Sequence, residues 1–158
     1  MTENDKILMR RAIALSRKAI ESNTGGPFGA IVVKDGKIIA EGNNCVTSTN
    51  DPTAHAEVVA IRNACKALNT FQLDGCTIYT SCEPCPMCLG AIYWARPAKI
   101  FFACNKDDAA KIGFDDDFIY KEISLDIKDR AIPTFQILNH EANEVFMEWD
   151  AKTDKIEY

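Results

Sequence analysis

A histidine and a pair of cysteines form the most specific chemical pattern in this sequence. His55 opens the tripeptide His-Ala-Glu, and Cys85 and Cys88 stand in Pro-Cys-Pro-Met-Cys. Cysteines at positions i and i+3 of a helix lie on one face, so a single cation can bridge their sulfurs. Two sulfurs and one imidazole give zinc three protein ligands and leave the fourth tetrahedral position for water. We therefore predict one Zn2+ per chain, bound by His55, Cys85 and Cys88, at a catalytic site.

Glu57 is the predicted catalytic proton carrier, because it lies two residues from His55 and is not needed as a ligand. Zinc lowers the pKa of bound water toward roughly 7, and a neighbouring carboxylate can take the proton of that water and return it to a substrate. Residues i and i+2 of a regular helix point about 200° apart. We therefore expect His55 and Glu57 to straddle the start of a helix.

A structural zinc site is the alternative interpretation of the cysteine cluster. Cys82 precedes Cys85 by three residues and could supply a fourth ligand, which would leave no position for water. The protein would then be a zinc-stabilised interaction module, but such a site has no use for Glu57. The other thiols are predicted to be small buried hydrophobic groups, because free cysteine is often buried; they are Cys45, Cys65, Cys76 and Cys104. His140 lacks a neighbouring ligand motif and is predicted to be a surface or capping residue.

Composition limits the class of protein. The chain has 158 residues, of which 47% are hydrophobic and 26% are charged, so we predict one globular domain over residues 1–158. No apolar run reaches the roughly 18 residues of a membrane span, and the N-terminus does not resemble a signal peptide. Seven cysteines, three of them clustered, favour metal chemistry in the cytoplasm over disulfides. Residues 105–158 carry a net charge of −7, which argues against a nucleic-acid partner.

The sequence predicts alternating helices and strands. Apolar spacing predicts a helix over residues 5–21, and the Asp35-Gly36 pair predicts a hairpin between strands 29–34 and 37–42. Asp51-Pro52-Thr53 is predicted to open a second helix that runs to about Asn69. The later predicted strands are at 76–80, 99–103 and 134–138. The later predicted helices are at 84–95, 107–112 and 143–152, and an acidic turn is predicted at 115–117. This order indicates an α/β layer with a parallel core and one antiparallel hairpin edge.

Several longer stretches resemble one family. His-x-Glu followed by Pro-Cys-x-x-Cys is the signature of zinc-dependent base deaminases. The chain resembles the bacterial guanine deaminases of the cytidine/deoxycytidylate deaminase superfamily in five stretches: GGPFGA at 25–30, TNDPTAHAE at 49–57, SCEPCPMCLGAIYWARP at 81–97, GFDD at 113–116 and FIYKE at 118–122. The resemblance is weakest from Asp126 to about Lys152. It implies a three-layer α/β/α cytidine-deaminase-like fold with a central five-stranded mixed sheet.

The same resemblance implies a reaction and a substrate site. The reaction is the hydrolysis of guanine to xanthine and ammonia, with attack by zinc-activated water at C2. Zinc binding by the three ligands above and proton transfer by Glu57 agree with the family. Substrate contacts are implied for Phe28, Asn44, Ala56, Asp116 and Tyr158. Phe28 would stack on the purine, Asn44 would bond it, and Asp116 would accept its N–H groups and help to move a proton. Tyr158 would close the pocket of the neighbouring subunit in a homodimer that swaps its C-terminal segments, about residues 139–158.

Other interpretations stay open at this point. Without the family resemblance, Asn44 is interpreted as a residue that stabilises a turn, and Asp116 is interpreted as part of an acidic helix start. Tyr158 would be an ordinary chain end. A tRNA adenosine deaminase would share the fold and the zinc site, although it needs a basic surface for RNA. A cytosine deaminase or another small-base deaminase is a further alternative.

Overall fold

The computed structural model describes residues 1–157, and the chain forms two compact units. The first unit comprises residues 1–116, and the second begins at Asp117. The elements of the first unit are α1 (Glu3–Glu21), β1 (Gly29–Lys34), β2 (Lys37–Asn43), α2 (Val46–Thr49), α3 (Ala56–Leu68), β3 (Thr77–Cys82), α4 (Pro86–Ala95), β4 (Lys99–Cys104) and α5 (Lys106–Ala110). The second unit contains α6 (Asp117–Ser124), a 3-10 turn (Ile127–Asp129) and α7 (Asn139–Ala151).

The sheet of the first unit is mixed, with the strand order β2-β1-β3-β4. β1 is antiparallel to both β2 and β3, whereas β3 and β4 are parallel. The β1–β2 turn has positive φ at both Asp35 (49°) and Gly36 (74°), which suits the twist of a two-residue hairpin. Because β2 and β3 lie on either side of β1, the connection through α3 passes over β1.

Helices cover both faces of this sheet. Successive side chains of a strand point to opposite faces, so Ile31 and Val33 of β1 pack with Leu8 and Leu15 of α1. Their neighbours Ala30 and Val32 pack on the other side, in a cluster with buried residues of α3 and α4. This arrangement gives three layers, with α1 on one face of the sheet and α3 and α4 on the other.

A glycine lets α3 approach the sheet closely. A Cβ atom at Gly42 of β2 would lie 2.3 Å from the carbonyl oxygen of Ala56 and 2.6 Å from the amide nitrogen of Ala60. Only a residue without a side chain fits at such a distance. The first turn of α3 is therefore held against the strand end where the hairpin finishes, and it carries the His-Ala-Glu tripeptide.

Three sequence predictions require correction. The sheet has four strands instead of five, since residues 134–138 form no strand. Alternating apolar residues become a strand only when a neighbouring strand pairs with them, and Phe135 and Ile137 stay exposed. The parallel part of the sheet is limited to β3 and β4. The second helix begins at Ala56, because Asp51 accepts hydrogen bonds from the amide and the hydroxyl of Thr53 and holds residues 51–53 in a turn.

The second unit is short and exposes much of its apolar surface. Within it, the Glu122 carboxylate accepts a hydrogen bond from the amide of Ala131 at 2.8 Å. Its exposed large apolar side chains are Phe118, Ile123, Leu125, Ile127, Ile132, Phe135, Ile137, Leu138, Val145, Phe146, Met147, Trp149 and Ile156. Across residues 1–157, no helix combines the length and the apolarity that crossing a membrane requires.

Candidate active site

His55 comes together with Cys85 and Cys88, although about 30 residues of chain separate it from the two cysteines. The Nδ1 atom of His55 lies 3.6 Å from Sγ of Cys85 and 3.5 Å from Sγ of Cys88. The ligand atoms of these three residues all lie within 4.8 Å of one another. Imidazole nitrogen and thiolate sulfur are the donors that zinc prefers, so the three side chains fit a zinc ion.

Two helix N-termini place these ligands. His55 is the N-cap of α3, with extended backbone (φ −68°, ψ 154°), and Cys85 is the N-cap of α4. Pro86 occupies the first turn of α4, where its missing amide costs no hydrogen bond. The positive ends of both helices face the site and favour thiolate. A hydrogen bond from the Cys88 thiol, with a further contribution from His55, lowers the pKa of Cys85 to about 4.

Glu57 lies beside the three ligands and is only 5% exposed. Its Oε1 atom accepts a hydrogen bond from the Thr80 hydroxyl at 3.2 Å, and its Oε2 atom lies 3.5 Å from Sγ of Cys88. Burial raises the pKa of the Glu57 carboxyl above its usual value. The buried carboxyl group therefore holds a proton more readily than an exposed glutamate does, as a proton carrier requires.

Cys82 does not join the ligand group. It ends β3, and its thiol donates a hydrogen bond to the backbone carbonyl of Asn105 at 3.7 Å. Burial is the main cause that raises the pKa of Cys82 to about 11, so it keeps its proton. Within residues 1–157, the set of side chains that could hold a metal consists of His55, Cys85 and Cys88. This geometry opposes a closed four-ligand structural site.

Two of the three ligands, His55 and Cys85, border a cavity of about 280 Å³ together with Glu57. Its other lining residues belong to the first unit: Phe28, Cys82, Glu83, Lys106, Ala109, Gly113, Phe114, Asp115 and Asp116. Phe28 and Phe114 meet edge to face, with ring centroids 4.9 Å apart. Burial, followed by the nearby Cys85 charge, raises the pKa of Asp116. The cavity thus has an aromatic wall, formed by Phe28 and Phe114, and a carboxylate, that of Asp116, which is distant in sequence from the zinc ligands.

Two of the expected substrate residues do not line this cavity. Asn44 is buried, and its side-chain oxygen accepts hydrogen bonds from the amides of Gly26 and Val46. Ala56 is fully buried in the first turn of α3. Their roles toward a purine stay predictions, and Tyr158 lies outside the described residues.

The remaining cysteines and the second histidine differ in their burial. Cys76 is buried, and Cys45 and Cys65 are half-buried, as small hydrophobic groups would be. The prediction that Cys104 is buried is wrong, because β4 is an edge strand and Cys104 is exposed. His140 is an exposed residue of α7 that lies 3.6 Å from the Glu144 carboxylate.

Sequence reasoning assigned no role to three residues at the site. Thr80 contacts Glu57 from the middle of β3, where a strand pattern gives no sign of a functional hydroxyl. Lys106 lines the cavity from the start of α5. Phe114 also lines it, and the GFDD stretch that it shares with Asp116 was a signal that could have identified it.

The fold and the donor set agree with a known class of zinc enzyme. Residues 2–104 match the cytidine and deoxycytidylate deaminase zinc-binding region. Since this match covers more than half of the chain, the protein belongs to the cytidine and deoxycytidylate deaminase family. It binds one zinc ion, for which the His/Cys/Cys group provides ligands of the right chemistry.

One relative resembles the whole chain. Guanine deaminase from Bacillus subtilis is 56% identical over 155 residues, which cover 98% of this chain and 99% of that protein. Its crystal structure superposes with a TM-score of 0.95 and 54% identity, over 100% of this chain and 99% of that one.

Two other relatives match a smaller part. The structure of a guanine deaminase from Nitrosomonas europaea gives a TM-score of 0.66 at 38% identity, covering 69% of this chain and 63% of that one. A tRNA-specific adenosine deaminase from Bacillus subtilis is 43% identical over 98 residues, or 62% of this chain and 60% of that protein. The tRNA deaminases are thus more distant.

Proposed function

We propose that this protein is a zinc-dependent guanine deaminase, an enzyme that hydrolyses guanine to xanthine and ammonia. The observation that carries this assignment is the grouping of His55, Cys85 and Cys88 beside the buried Glu57, next to a cavity that His55, Cys85 and Glu57 line. The similarity to guanine deaminase over 98% of the chain supports guanine as the substrate. A structural zinc site would have no need for a buried carboxylate next to its ligands.

Glu57 moves the protons of this reaction. Zinc bound at the site supplies a water of lowered pKa as the nucleophile. Glu57 takes a proton from the attacking water and gives it to N3 of guanine, as the C2–O bond forms and the C2=N3 double bond becomes a single bond. It then moves the proton of the new C2 hydroxyl group to the exocyclic nitrogen, which leaves as ammonia as the C2–N bond breaks and C2=O forms. The raised pKa of the buried carboxyl suits both halves of this exchange.

Asp116 and Phe28 are proposed to hold the purine. Asp116 lines the cavity and can accept hydrogen bonds from the N–H groups of guanine. It is also proposed to assist in proton transfer. The Phe28 ring lines the same cavity and offers a face for stacking. Asn44 directly after β2 and Ala56 in the first turn of α3 are also proposed to contact the substrate, although neither lines the cavity.

A panel of substrates tests the proposed function. Ammonia release is measured with the zinc-loaded, full-length protein on guanine, adenine, cytosine and a tRNA anticodon stem-loop in parallel. We expect guanine to be the preferred substrate, because an unpaired Asp116 carboxylate penalises bases that lack the matching N–H groups. Efficient deamination of the RNA would favour the tRNA adenosine deaminase function instead. Preference for cytosine would assign the protein to the pyrimidine deaminases.

We further propose a homodimer that exchanges its C-terminal segments, about residues 139–158, and in which Tyr158 closes the pocket of the partner. The apolar side chains that α7 leaves exposed, such as Phe146 and Trp149, support a partner chain.

Sedimentation of the full chain tests the dimer. Deletion of residues 156–158 should lower activity sharply, and mixing that variant with Glu57→Gln should restore part of the activity. In the mixed dimer, one site then has both an intact Glu57 and a borrowed tail. Full activity of the truncated chain alone would contradict the swap.

The cytoplasm is the proposed location. All seven cysteines are free thiols, and thiols persist in a reducing compartment. Co-fractionation of the native protein with cytoplasmic markers tests this assignment.

A further inference from the structure

A hydroxyl group of β3 contacts the proton-carrying carboxylate. Thr80 is 1% exposed, and its Oγ1 atom donates a hydrogen bond to Oε1 of Glu57 at 3.2 Å. Both residues are buried, so water does not compete for this contact. The hydroxyl reaches Glu57 from the sheet, whereas the zinc ligands reach it from helix starts.

The place of Thr80 in the sheet shows that the hydroxyl is not required for packing. Residues i and i+2 of a strand share a face, so Thr80 faces the same side as Ile78. Ile78 belongs to the apolar cluster that packs with Ala56 and Ala60 of α3. Valine has nearly the same shape as threonine and would fill this apolar position. What threonine adds is a donor aimed at Glu57, on a β-branched side chain whose χ1 rotamer is restricted.

The contact between Thr80 and Glu57 gives the two carboxylate oxygens of Glu57 different surroundings. Oε1 of Glu57 is held by Thr80, whereas Oε2 faces Sγ of Cys88 on the side of the zinc ligands. A carboxylate that is fixed through one oxygen cannot rotate freely about its terminal bond. The other oxygen therefore stays in one direction, toward the place where the proton must be exchanged.

We propose that Thr80 is a positioning residue for the deamination, which holds Oε1 of Glu57 so that Oε2 carries the proton. The proposal rests on the function proposed above. The proposal gives Thr80 a role in orienting Glu57 and none in binding the substrate. Thr80 does not line the cavity, so loss of its hydroxyl should change turnover and leave the affinity for guanine unchanged. A misplaced catalytic group slows the chemical step even when the substrate binds normally.

Three variants test the role of the hydroxyl. Thr80→Val removes the donor at nearly constant volume, Thr80→Ser keeps the donor without the methyl group, and Ile78→Val perturbs the same strand face without touching Glu57. We expect Thr80→Val to lower kcat for guanine by about 10- to 100-fold, the usual effect of losing a group that orients a metal-site residue. KM and zinc content should not change. Thr80→Ser should recover most of the lost turnover, and Ile78→Val should keep wild-type kcat while melting at a lower temperature.

The results test the positioning role of Thr80 separately from the proposed guanine deaminase function. Wild-type kcat in Thr80→Val, or an equal loss in Thr80→Ser and Thr80→Val, would overturn the positioning role. A rise in KM without a change in kcat would also overturn it. If Thr80→Val does not fold, Thr80→Ala gives the same comparison with Thr80→Ser. An inactive wild-type protein with full zinc content would instead contradict guanine deamination itself.

Discussion

His55 and Glu57 approach the same sulfur atom although a single residue separates them. Nδ1 of His55 and Oε2 of Glu57 each lie 3.5 Å from Sγ of Cys88. Inside a helix the two side chains would diverge, but His55 is an N-cap with extended backbone and Glu57 lies in the first turn of α3. The helix start therefore lets a zinc-binding imidazole and a buried carboxyl group share one site.

Loss of a zinc ligand should remove zinc and activity together. His55→Ala or Cys88→Ala leaves only two protein ligands, and a two-ligand site holds zinc poorly. Metal analysis of the purified variants should show far less than one zinc per chain. Cys82→Ala is the matched control, because its thiol contacts the carbonyl of Asn105 and not the ligand group. An essential role of Cys82 in zinc binding would contradict the open site.

Glu57→Gln should keep the zinc and the fold but lose turnover. The amide has nearly the same size as the carboxyl group and cannot carry a proton. Loss of a general acid or base lowers the rate by about 10²- to 10⁴-fold. Steady-state ammonia release, with zinc content and melting temperature measured on the same sample, checks the prediction. Near-normal activity would place the proton route elsewhere.

Asp116→Asn should weaken guanine turnover much more than it weakens folding. The side chain is half-buried at the cavity wall, and the substitution replaces an acceptor with a group that also donates. Loss of such a hydrogen bond to a substrate is expected to lower kcat/KM by about tenfold or more. Asp107→Asn, at an exposed position of α5, is the control and should stay at wild-type activity. Equal effects of the two substitutions would remove Asp116 from the site.

Gly26→Ala should disturb the aromatic wall of the cavity. The new Cβ atom would lie 2.8 Å from Cζ of Phe114 and 3.0 Å from Cε2 of Phe28, so at least one ring must move. We expect a higher KM for guanine and a small change in melting temperature. Gly90→Ala is the matched control, because no atom other than those of its chain neighbours and its own helix backbone lies within 4 Å of its Cβ position. At this exposed position of α4 it should stabilise the fold by about 0.5–1 kcal/mol and leave KM unchanged.

Asp5 should make stability depend on pH in the acid range. Hydrogen bonds from the Thr2 amide and the Tyr79 hydroxyl lower the pKa of Asp5 to about 2, from 3.8 in its ordinary state. A lowered native pKa stabilises the fold above the ordinary value, and this stabilisation disappears as the pH falls from about 4 to about 2. Asp5→Asn should therefore melt below the wild type at neutral pH, with the difference vanishing near pH 2. A constant difference across this range would contradict the linkage.

Local sequence patterns determined much of the first unit. The apolar stripe of α1, the Asp-Gly turn of the hairpin and the short apolar runs of the strands are short-range signals, and each of these elements is present. The zinc-ligand pattern could be identified for the same reason, because residue type and spacing specify a donor set. The start of α3 was misplaced because the side chain of Asp51 forms a turn that competes with helix formation.

Only the tertiary structure decided the rest. A β-strand forms only when a neighbouring strand hydrogen-bonds to it. The sequence of residues 134–138 alone therefore could not show that no strand forms there. The contact of Thr80 with Glu57 joins a sheet to a helix start, and nothing local to either residue encodes it. The sequence by itself identified the His/Cys/Cys group that fits zinc and predicted Glu57 as the proton carrier. Their distances, their burial and the hydroxyl that holds the carboxylate depend on how the chain packs α3 and α4 against β3, because such contacts form between residues far apart in sequence.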